Sequence, residues 1–161
     1  MAYPVYESFA EEKVSTLESS IVIDKPAGVA ENDLMVAVIA QGRSGDPWTM
    51  TPPGGWSTFY NGTYYGGATL SAFYKIAGDS EPSDYTFTFD ATQRAYGFII
   101  RVSGVRVADP INIFDKESDA TDTPRSPSVV TTEDECLILR AFAMDNIFIT
   151  EDSGYPAAHT G

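Results

Sequence analysis

The chain has 161 residues, with 23 acidic side chains against ten basic ones and a formal charge of −13. That length fits one domain able to bury a core without covalent staples, and 43% hydrophobic residues is an ordinary globular composition. A field of this sign repels phosphate backbones and sets nucleic-acid binding aside; it fits a soluble surface protein, a partner with a basic face, or a cation.

Cys136 is the single cysteine and His159 the single histidine. An internal disulfide and a thiolate metal cluster are therefore excluded. A Ser-His-Asp arrangement, a Cys-His pair or a histidine-ligated zinc site would each need His159, two residues from the end of the chain. Cys136 lies in the apolar stretch CLILRAFAM and reads as a small buried hydrophobe. The start, MAYPVYESFAEEK, has neither a basic nor an apolar signal region, so synthesis in the cytoplasm is expected. No apolar run approaches the roughly 18 residues of a membrane span.

In chain order, residues 1–17 are expected to form an extended N-terminal arm, with a short helix over 6–20 as the weaker alternative because its apolar positions are scattered. Strands are expected at 19–24, 33–41, 68–77, 84–90, 96–104 and 136–144. Residues 33–41, DLMVAVIAQ, are apolar throughout and suit a central strand covered on both faces. Residues 84–90 alternate cleanly, with Tyr85, Phe87 and Phe89 facing in. Gly, Pro, Asn and Asp clusters separate the runs, and Asn61-Gly62 predicts a two-residue type I′ hairpin turn. Asn61-Gly62-Thr63 also matches a glycosylation sequon but reads as the turn alone. Residues 115–135 read as a polar loop with a short strand in SPSVVTT. This pattern predicts an all-β fold, an antiparallel jelly-roll-like β-sandwich occupying 18–161 as a single domain.

Candidate sites are few. Trp48, Trp56, Phe59, Tyr60, Tyr64 and Tyr65 surround Asn61. Such a group can stack on a glycan or bury its apolar area as a lid over the core. For Trp56, in TPPGGWSTFY, the lid is the favoured reading, since strand alternation would split these aromatics between faces. Asp115, Glu117, Asp119 and Asp122 form an acidic cluster, but their spacing lacks the turn glycine of a calcium loop. The many carboxylates show no specific glycosidase pair, and phosphate-cradling glycine motifs are missing. No catalytic residue, metal or cofactor is expected.

The series IDKPAGVAENDLMVAVIA, PPGGWSTFY, LSAFYKIAGDSEPSDYTFTF and GFIIRVSGVRVADPIN resembles a β-sandwich domain of tailed-bacteriophage virion proteins. That domain recurs in capsid decoration (cement), head-fibre and tail-associated proteins. The resemblance covers roughly residues 18–150, and Tyr74 through Phe87 is its most specific part. It implies a non-enzymatic structural role in the virion, with the major capsid protein or other virion proteins as partners and homo-oligomers formed on the shell. It implies no membrane or nucleic-acid partner. The alternative is a receptor-facing module binding a cell-surface glycan through Trp48, Trp56, Tyr60, Asn61, Tyr64 and Tyr65. Tyr3, Val5, Tyr6 and Phe9 are the expected contacts of the N-terminal arm. Domains of this kind continue past the equivalent of DSGYPAAHTG with further strands. A neighbouring subunit or the N-terminal segment is therefore expected to cover the edge left open.

Overall fold

The computed structural model describes residues 3–42, 49–62, 68–117 and 126–143. Among them there is no helix, and the strands are β1 (Val5–Asp24), β2 (Leu34–Gly42), β3 (Met50–Thr51), β4 (Ser57–Asn61), β5 (Ala68–Ile76) and β6 (Asp84–Ser103). They form one antiparallel sheet in the order β1-β6-β2-β5-β4, with β3 pairing against β6 off this path. The fold is all-β, as the alternation of apolar and polar residues predicts.

The long strand β6 organises the rest. Its odd-numbered residues from Tyr85 through Ile99 face inward without a break in period. The expected separate strands at 84–90 and 96–104 are therefore one strand, and the polar stretch between them continues the ladder. One half of β6 pairs with Ser20–Asp24 of β1 and with β3, and the other with Val5–Val14 and with β2. Register shifts in β1 between Val14 and Glu18 and between Glu18 and Ser20 mark the join. Bulges of this kind bend the strands that carry them. The two halves accordingly contribute to a single core, which holds Phe87 and Ile21 from one half and Ile99, Ala37 and Phe73 from the other. Phe73 and Phe87 are not ladder neighbours, yet their ring centroids lie 5.5 Å apart.

β2 is central and buried on both faces, as its unbroken apolar run predicts. Met35, Ala37 and Ile39 enter the main core, while Leu34 and Val36 join Ile100 and Val102 on the other side. Val105 and Ile111 pack onto that second face. Gly97 lies where β1, β2 and β6 converge. A Cβ there would stand 2.8 Å from Ile39 Cγ1 and 3.0 Å from Ile23 Cδ1, so its absence lets the two isoleucines meet over the backbone.

Further expectations change. The segment expected as an arm, with a helical alternative, is most of β1, and from Val5 it is paired with β6. Asn61 belongs to β4 opposite Ser71, Gly62 N donates to Leu70 O, and neither residue has a positive φ. The ladder thus runs through the position expected to turn, and the type I′ geometry is not adopted. Residues 136–143, expected as a strand, pair with no strand, and SPSVVTT likewise forms none. Cys136 is only half-buried, its thiol directed at the carbonyl of Glu133 3.4 Å away, because the segment carrying it lies outside the core.

A buried ionic network closes the turn from β5 to β6. The Glu81 side chain is 4% exposed and pairs with Lys75 Nζ at 2.6 Å. It also accepts from Tyr85 OH at 2.7 Å and from Gly78 N at 2.7 Å. Burial pushes the Glu81 carboxyl up, but the bonds from Lys75, Tyr85 and Gly78, with the Lys75 charge, outweigh it and hold the group below its ordinary value. The Tyr85 hydroxyl is pushed up by burial and by the adjacent carboxylate.

Two outcomes are expected. Gly97→Ala should destabilise the fold by about 1–3 kcal/mol, because the added methyl meets two packed isoleucines; an unchanged urea midpoint would show that the core yields there. Glu81→Gln should cost about 2 kcal/mol near neutral pH by leaving Lys75 without its carboxylate. A lowered carboxyl stabilises the fold above its unfolded value, near 4.5, and loses that contribution as pH falls through the folded value. The gap between wild type and Glu81→Gln should therefore narrow as pH falls below 4.5; a gap independent of pH would refute the assignment.

Candidate interaction surface

Trp56 follows a turn in which Gly55 adopts φ 85° and Trp56 N donates to Pro53 O at 3.3 Å. The turn aims the indole inward, where it stands edge-on to Tyr85 at 5.1 Å and to Phe87 at 5.4 Å. At 8% exposure it is a lid on the core and offers no stacking face. Trp56 is thereby removed from the surface contacts that the sequence proposed.

Asn61 is also structural. Its Oδ1 accepts from Met50 N at 3.1 Å and from Ser71 Oγ at 3.0 Å, and its Nδ2 donates to Met50 O at 2.8 Å. The carboxamide imitates a strand rung and ties β3 to the β4–β5 hairpin. Of the remaining aromatics in this group, Trp48, Tyr64 and Tyr65 lie outside the described residues. Phe59 and Tyr60 pack against Phe114, with centroids at 5.1 Å and 5.9 Å, and Lys116 Nζ sits 4.6 Å from the Tyr60 ring. The stretch after β6 thus crosses the second face of the sheet to reach β4. The structure gathers Phe59, Tyr60, Phe114 and Lys116 at that edge; the last two were not among the residues singled out, because a lone Phe in a polar stretch carries no signal of its own.

At the opposite edge, Tyr3, Val5, Tyr6 and Phe9 are all exposed, Phe9 at 53%. A register shift between Tyr6 and Ser8 breaks the alternation of this part of β1. Phe9 stands opposite Ile100, and the exposed Tyr96 of β6 stands opposite Lys13, its hydroxyl bonded to Glu11. That bond is the main reason the Tyr96 hydroxyl is raised, with burial second. Tyr3 and Pro4 line an open groove of about 330 Å³ with Glu135, Cys136 and Leu137. Leu137 is exposed, and beyond the groove so are Ile138, Leu139 and Phe142.

Among the described residues no group of three or more His, Cys, Asp or Glu side chains could hold a metal ion. Asp119 and Asp122 of the acidic cluster, and His159, lie outside those residues. The described acids in ion pairs serve structure: Asp33 pairs with Arg101 at 2.6 Å and accepts from Ala30 N at 2.9 Å, which fixes the approach to β2. The arrangement offers docking surface, apolar and acidic, at the head of β1. Comparisons of the chain with protein-family models, curated proteins and solved structures gave no match.

Asn61→Ala should lower stability by about 2 kcal/mol, since Met50 N and O both lose their partner. A variant with wild-type stability would return Asn61 to the pool of surface-recognition residues.

Proposed function

We propose that the chain is a non-enzymatic structural protein of a bacteriophage virion, a capsid decoration protein that stabilises the head by binding across capsomers. The observation that carries this reading is the apolar surface at the head of β1, where Tyr3, Val5, Tyr6 and Phe9 are exposed together beside an acidic strand. Exposed apolar groups of this density mark a surface that works against a partner. The partner of this reading is the major capsid protein. Contacts made on both sides of a capsomer seam add binding energy that the shell must lose before it opens, and icosahedral repetition multiplies weak contacts into avidity.

The motif series that resembles virion domains supports the same reading through what its residues do. Gly28 and Asn32 adopt φ 74° and 71°, and Asp33 holds Arg101. Lys75, Glu81 and Tyr85 form the buried network between β5 and β6. These are requirements of a scaffold, so a scaffold is what a resemblance at these positions speaks for. A glycan platform around Asn61 would have to work without the indole of Trp56.

The test is composition. Virions purified from a culture producing the phage that encodes this chain should contain it in many copies, retained on isolated heads and missing from isolated tails. Heads lacking it should lose their DNA at lower temperature, and added protein should restore them. Absence from purified virions, or a position on tails alone, would refute the decoration role.

A further inference from the structure

β1 ends the sheet. One side of it pairs with β6, and no described strand pairs with the other. An edge of this length exposes a row of unpaired N–H and C=O groups and is a ready template for another strand. Between Val5 and Val14 the edge carries Glu7, Glu11 and Glu12 against the single base Lys13, together with the exposed Tyr6 and Phe9.

The same chain carries a strand without a ladder. Residues 136–143, CLILRAFA, are strand-like in length and composition, yet they lie outside every sheet pairing. Leu137, Ile138, Leu139 and Phe142 are exposed, the last at 69%. Because Leu137 and Ile138 are neighbours in sequence, both faces of the run are uncovered. Glu135 turns into the run with φ 58°, and the groove shared with Tyr3 and Pro4 brings its start to the head of β1. The only charge in the run is Arg140, opposite in sign to the net charge of the edge.

We propose that residues 136–143 of one copy add as a strand to the free edge of β1, within residues 5–14, of a second copy. Eight extended residues span about 26 Å, which fits inside a ten-residue edge. Main-chain bonds supply affinity in such an addition, and side chains on alternate faces supply selectivity. Every copy offers one β1 edge and one such run, so the exchange can close as a reciprocal dimer or a ring. The charge of −13 on each copy opposes approach, so apolar burial drives the contact and physiological salt favours it by screening. The proposal stands independently of the virion reading.

Light scattering after size exclusion in physiological salt, over a wide concentration range, tests it with the full chain. The wild type should form a discrete oligomer in which amide exchange of residues 136–143 is slow. The double variant Ile138→Pro/Leu139→Pro removes two donors from a segment that no intrachain ladder uses. It should keep its circular dichroism and urea midpoint, run as a monomer, and exchange that segment rapidly. Arg140→Glu should weaken association about tenfold, the size of one lost favourable charge contact at an interface. A wild type that stays monomeric at the highest concentration would overturn the proposal, whether its run exchanges fast or is protected by folding onto its own chain. An oligomer that survives the two prolines would overturn it equally.

Discussion

The fold depends on β6 remaining a single strand of twenty residues while its partner bends. Because its inward period never breaks, both halves present the same face, and the irregularities in β1 bring those faces toward each other. The core is what forms between them. Phe87 reaches Phe73 although no ladder joins their strands, and Gly97 leaves room at the point where Ile23 and Ile39 approach. A side chain at 97 would hold the halves apart.

With the core set by that bend, the turn from β5 to β6 has to hold the near half of β6 beneath β5. Glu81 does this by drawing a lysine from β5, a tyrosine from β6 and the amide of Gly78 onto one carboxylate. Such a pair is costly to bury, and its value lies in specificity: only one arrangement of the two strands satisfies all three donors. That is a physical reason for the sequence from Tyr74 to Phe87 to act as one structural unit. Asp33 with Arg101 plays the corresponding part at the entry to β2.

Elements whose signal is local were legible from the sequence. β2, β5 and the inward series Tyr85, Phe87, Phe89 follow from apolar runs and period-two alternation, and Trp56 as a lid follows from the Pro-Gly-Gly turn before it. What escaped depends on partners distant in sequence. Residues 90–95 look like a break because Gln93 is polar, yet Gln93 is buried with its carboxamide unbonded to the protein, as is that of Gln41. Asn61-Gly62 has turn chemistry, but the Asn61 side chain is claimed by Met50, which local pattern does not reveal. The charges of AEEK disguise β1 as an arm, since an edge strand needs apolar residues on one side only. CLILRAFA has the length and composition of a strand but no ladder partner among the described residues, and period cannot report whether a partner exists.

In this sheet the problem of an open edge is moved rather than removed. The N-terminal segment was expected as one possible cover, and as β1 it shields the flank of β6 and becomes the new edge itself. Acidic residues along β1 discourage indiscriminate pairing, since a second copy of the same edge would bring glutamates against glutamates. They do not discourage a strand that is apolar and carries one arginine. An edge defended against its like and open to an uncharged or basic strand selects its partner before any side-chain pocket is considered.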